Sequence, residues 1–127
     1  MADMRTPLGK VRGLGSAKEG TDHFWKQRLT AVANVPLILA IIWLVVSSVG
    51  RSPAAVIETL SNPLVSLILL AAVVSICWHM KLGMQVVIED YIHNEGSKVA
   101  LVILNTFFCV GVGLMSAFAV LKLGFGG

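Results

Sequence analysis

Residues able to do chemistry gather in one stretch, Ser75 to Tyr91, which reads SICWHMKLGMQVVIEDY. It begins inside a long apolar run, places His79 there, and closes on an acidic-aromatic pair, Asp90 and Tyr91. An ionisable side chain at membrane depth is costly, so function is the first hypothesis for it. At about 100° per residue, Ala71, Ser75, His79, Gly83, Val86 and Asp90 lie on one slowly drifting helix stripe. Small residues therefore flank the imidazole one turn above and one turn below, leaving room for a flat, wide group. His79 and Asp90 are separated by about 16 Å of helix rise and an angular offset of about 20°. One face thus joins a ligand-type nitrogen to a polar site near the membrane surface.

Three roles are open to His79: a hydrogen bond across helices, a proton relay, or axial ligation of a haem b. The small neighbours Ser75 and Gly83 favour the last. His23 and His93 fall at the span ends, so a six-coordinate haem needs its second ligand from a partner subunit. Tyr91 carries a phenol that can donate to a quinone carbonyl, and Asp90 beside it can relay protons from the aqueous side. Their plainer role is an interfacial anchor and a solvated carboxylate. The guanidinium of Arg28 matches carboxylates in a bidentate fork and suits haem propionates, or else it is an ordinary basic flank.

The elements that must position these residues are membrane helices. The chain has 127 residues, 56% of them hydrophobic and 13% charged, and its mean hydropathy is +0.82. Such values point to one integral membrane domain. The net charge of +3 comes from basic residues concentrated before Leu29, a cytoplasmic membrane flank and not a nucleic-acid surface. Cys77 and Cys109 both lie in apolar runs and predict core thiols, with no disulfide framework.

Residues 1–21 read as a mobile basic segment, with too late and too long a first apolar run for a signal peptide. Residues 22–127 then form an all-α domain of three transmembrane helices, at about 23–49, 63–91 and 97–122. Thr21-Asp22 is the expected cap of the first helix, and Pro36 predicts a kink within it. A single interfacial turn is expected over 54–60, and Asn62-Pro63 opens the second helix. Lys81 is offset about 200° from His79, so it faces away and snorkels to the nearer surface. The polar connection EDYIHNEG and a cap at Ser97 or its neighbour lead into the third helix, and residues 124–127 read as a frayed tail. Lys and Arg number six up to Arg28, against Arg51 alone in the next loop. That bias predicts an inner (cytoplasmic) membrane protein with its N-terminus cytoplasmic and its C-terminus periplasmic.

The arrangement H-x3-G-M-x5-D-Y, seen as His79, Gly83-Met84 and Asp90-Tyr91, resembles the hydrophobic membrane anchor subunit of succinate dehydrogenase. HFWKQRLTAVA, from His23 to Ala33, is similar to that family's entrance to its first helix. The resemblance implies half of a haem-binding bundle, completed by a cytochrome b556-type anchor subunit. It further implies flavoprotein and iron–sulfur subunits on the cytoplasmic face, and electrons passing from succinate to ubiquinone. Carried over by position, His79 matches the axial iron ligand, Tyr91 the quinone hydrogen-bond donor, Asp90 its acidic neighbour, and Arg28 the basic residue near the propionates. The chain is not an enzyme on its own, since it has no flavin, iron–sulfur or dicarboxylate motif. Two alternatives stand beside this: an anchor of a quinol:fumarate reductase, and a haem-free membrane helper with a proton-relay face.

Overall fold

The computed structural model describes residues 6–13 and 19–126. It is helical throughout: α1 Pro7–Val11, α2 Glu19–Ser48, α3 Pro53–Leu60, α4 Pro63–Tyr91 and α5 Glu95–Gly124. Three of these, from Thr21, Pro63 and Glu95 onward, are long and apolar enough to cross a membrane. The all-α, three-span architecture expected from the sequence is therefore present.

The ends differ in detail, and hydrogen bonding explains where. α1 interrupts the basic segment expected to be mobile; the Thr6 hydroxyl accepts from the Gly9 amide at 3.1 Å, and proline opens the helix. Residues 1–5 and 14–18 of that segment lie outside the described residues. α2 starts before the expected Thr21-Asp22 cap, so Asp22 sits inside its first turns and pairs with Lys26 one turn on. It runs unbroken through Pro36. The single turn expected after it is a full eight-residue helix, α3, capped by Ser52. α4 begins as read, with Asn62 accepting from the Leu64 amide and Pro63 at the first position. It ends at Tyr91, the bound expected for it, while α5 starts at Glu95, two residues early, so the polar connection between the helices is only Ile92, His93 and Asn94. Asn94, and not Ser97, caps α5: its side chain accepts from the Ser97 amide at 3.0 Å. The expected frayed tail is partly ordered, because Gly124 ends α5 against Ser66 of α4.

α4 is the middle of the structure. α2 and α5 each pack along it and scarcely touch one another, while α3 rests on the ends of α4 and α5. Few side chains among the described residues are buried: Ala72, Leu82, Ile88, Cys109 and Asn34. Lipid is as apolar as leucine, so burial gives membrane helices little drive to associate; small residues and polar bonds must do it. Both occur along α4. Ala72 is closed off, Gly113 lies against Cys77, and the Asn105 amide donates to the Lys81 carbonyl at 3.0 Å. Both cysteines are free thiols, Cys109 buried and Cys77 half-buried.

Candidate haem and quinone site

α2 and α4 run antiparallel, and two polar bonds one turn apart fix their register. Thr30 Oγ1 lies 3.0 Å from His79 Nδ1. One turn along each helix, the Ser75 hydroxyl donates to Asn34 Oδ1 at 2.7 Å, with the Thr30 carbonyl farther off at 3.5 Å. Both bonds arise from i, i+4 pairs, which place like side chains on one helix face.

His79 is therefore a half-buried ring held to α2 by one nitrogen. Among the described residues its Nε2 has no hydrogen bond. The expected space beside it is real on one side: a Cβ added at Gly83 meets nothing within 4 Å. On the other side Ser75 is engaged with α2, yet it still lines, with Thr30, Ala33, Ala71 and Trp78, a groove of about 480 Å³ between the helices. Thr30 and Asn34 are the residues that sequence reasoning missed. Their signal was two polar side chains one turn apart in a charge-free run, matched by Ser75 and His79 opposite.

The remaining candidates lie towards the end of the bundle where α2 begins and α4 stops. Arg28 is exposed, and its guanidinium stands over the Phe24 ring at 4.9 Å, a cation–π contact within its own helix. Phe24 in turn meets Trp25 edge-to-face. His23 is half-buried, and its Nε2 is buried without a hydrogen-bond partner among the described residues. Asp90 and Tyr91 are exposed at the last turn of α4, Tyr91 by 75%. They are not brought into contact with His79; the helix rise between His79 and Tyr91 is about 18 Å. The site thus has two parts on one helix, a ring nitrogen within the span and a phenol–carboxylate pair at its polar end.

Lys81 faces away from His79, as its offset predicts, but it meets α5. It lines a groove of about 430 Å³ with Cys77, Thr106 and Cys109 and is half-buried there. Among the described residues no three His, Cys, Asp or Glu side chains converge on a bare metal ion. A haem asks less of the chain: the macrocycle brings four nitrogens, and one imidazole completes an axial position.

Comparison with known proteins agrees with this fold. The profile of the family described as succinate dehydrogenase/fumarate reductase transmembrane subunit matches residues 2–113. The chain is 34% identical over 108 residues to a succinate dehydrogenase hydrophobic membrane anchor subunit of Rickettsia bellii, covering 85% of this chain and 86% of that one. It is 30% identical over 121 residues to the subunit so named in Paracoccus denitrificans, covering 95% and 93%. A succinate dehydrogenase membrane anchor subunit of Reclinomonas americana is 30% identical over 90 residues, covering 68% and 75%. No solved structure matches the chain significantly.

Proposed function

The chain belongs to the succinate dehydrogenase/fumarate reductase transmembrane subunit family, and from that premise we propose that α4 carries half of a haem b site and part of a ubiquinone site. The coarser role needs no proposal: this is a multi-pass membrane anchor subunit of succinate dehydrogenase, non-catalytic itself, and it works with the other subunits of that enzyme. The relatives' names do not favour the quinol:fumarate reductase alternative.

One observation carries the haem reading. His79 is an ionisable ring within a membrane span, tied down at Nδ1 only, with open space at Gly83 beside it. The residues present fit the group: an unengaged Nε2 for the iron, the exposed Arg28 for a propionate, and the orphaned Nε2 of His23 close to Arg28 in sequence. Bound there, the haem supplies a one-electron redox centre. On this reading a cytochrome b556-type anchor subunit would complete the haem site, and iron–sulfur and flavoprotein subunits would dock on the cytoplasmic face.

At the end of α4, Tyr91 presents a phenol O–H that donates to a ubiquinone carbonyl, and Asp90 holds and passes a proton at the water boundary. Reducing a quinone to a quinol takes up two protons, so a carboxylate open to water is the right neighbour for that phenol. The excess of Lys and Arg before the first span supports a cytoplasmic side for this end and the N-terminus, and a periplasmic side for the C-terminus.

The test is a reduced-minus-oxidised spectrum of the complex purified through a tag on this chain, with His79→Ala alongside. A b-type haem signal, co-purifying flavoprotein and iron–sulfur subunits, and altered or lost haem in His79→Ala are expected. The same partners with wild-type haem ligation in His79→Ala would remove the ligand role. Partners without any haem would leave the anchor and quinone roles alone and favour a proton-relay face.

A further inference from the structure

We propose that Thr30 is the positioning residue for His79, accepting a hydrogen bond that keeps the proton on Nδ1 and the lone pair on Nε2. The inference rests on the reading of His79 as an axial ligand and adds what decides which nitrogen is offered.

A threonine hydroxyl has one proton to give and two lone pairs to receive. Around Thr30 Oγ1 lie the Lys26 carbonyl at 2.8 Å, the Gln27 carbonyl at 3.1 Å and His79 Nδ1 at 3.0 Å. Carbonyl oxygens only accept, so the hydroxyl proton goes back to its own helix, as is common for threonine. Nδ1 then faces a lone pair and must carry a hydrogen to bond with it. In the opposite tautomer the hydroxyl turns to Nδ1 and forsakes both carbonyls, leaving one bond where there were two. Within the hydrocarbon there is no bulk water to replace the bond given up. The neighbouring bond from Ser75 to the buried Asn34 holds the two helices in register, so Thr30 cannot drift from the ring.

A neutral imidazole whose far N–H is hydrogen-bonded is the more basic ligand, and a more basic ligand favours ferric over ferrous iron. Thr30→Val keeps the shape and deletes the hydroxyl. Potentiometric titration of the haem in the purified complex is the readout, with the low-spin electron paramagnetic resonance of the ferric form. Thr30→Val is expected to weaken the ferric preference roughly threefold, which at about 59 mV per decade raises the potential by about 28 mV. The g-values should move with it, and Thr30→Ser, which keeps the hydroxyl, should restore both. Unchanged potential and g-values in Thr30→Val overturn the proposal, and so does a Thr30→Ser variant shifted as far as the valine one.

Thr30→Ala repeats the test without added bulk. If Val and Ala lose the haem and Ser keeps it, the hydroxyl is again responsible. Loss in all three assigns the effect to packing and rejects the idea. His79→Ala separates the two levels: if it leaves haem ligation unchanged, the ligand reading itself fails, whatever Thr30 does.

Discussion

The bond between Ser75 and Asn34 allows a sharp test of how α2 is held to α4. Asn34 is 8% exposed, and its carbonyl oxygen receives the Ser75 hydroxyl at 2.7 Å. Interhelical bonds in membranes average about 0.6 kcal/mol and reach about 1.7. The asymmetry between the partners matters more than that mean. Ser75→Ala strands a buried amide oxygen, which costs about 1–3 kcal/mol when no other donor arrives. With the closeness of this pair, about 1.5 kcal/mol is expected, about tenfold in the equilibrium between packed and separated helices. Asn34→Leu keeps the volume and removes the polar group, and the Ser75 hydroxyl still has the Thr30 carbonyl within 3.5 Å. That change is expected to cost about 0.5 kcal/mol. The double variant then costs less than Ser75→Ala alone, because nothing is left unsatisfied. Reversible unfolding of the chain in bicelles with rising SDS measures all four free energies. A double variant as unstable as the sum of the single ones would mean that the two groups do not sense each other and that their bond does not fix the register of α2 on α4.

Two helical glycines facing α4 are expected to respond oppositely to alanine. At Gly124 a Cβ falls 2.8 Å from Ser66 Oγ, which itself donates to the Leu60 carbonyl at 2.9 Å, so Gly124→Ala should destabilise by about 1–2 kcal/mol in the same assay. At Gly113 the nearest atom is Cys77 Sγ at an ordinary 3.5 Å, so Gly113→Ala should be neutral or stabilise by about 0.5 kcal/mol. Tyr91→Phe removes one phenol oxygen from an exposed side chain. It should lower quinone reduction about tenfold or more while succinate oxidation by a soluble dye is unchanged. Equal quinone rates would take Tyr91 out of the site.

The spans were readable because charge-free runs of this length have few other uses, and Asn62-Pro63 is a strong start signal. The helix ends were less so. Asn94 and Ser97 are both capping residues three positions apart, and only the backbone shows which one accepts from the other. Glu89 and Asp90 belong to a polar run, yet an exposed carboxylate is no obstacle to a last helical turn, and α4 ends at Tyr91 as its expected bound has it. The stripe of small residues did locate open space at Gly83, whereas at Ser75 it overlooked the hydroxyl, which is tied to Asn34. Thr30 was hidden for a simpler reason. Its importance lies in the ring opposite, and one helix's sequence does not say which turn of another it will meet.

The row in which α4 stands between two helices that hardly touch has a consequence for supply in the cell. With so few buried side chains among the described residues, apolar packing adds little to hold the helices together, because the lipid that replaces a neighbour is nearly as good a contact. The polar bonds along α4 carry most of the association. The chain's persistence then depends on being bound, by the mass-action coupling that stabilises any folded form with a ligand or subunit. Molecules made in excess of their companions are expected to pack more loosely and to be cut more readily by membrane proteases. The amount of this subunit is accordingly expected to follow the scarcest member of its assembly, and overproducing it alone should shorten its half-life in a pulse-chase measurement.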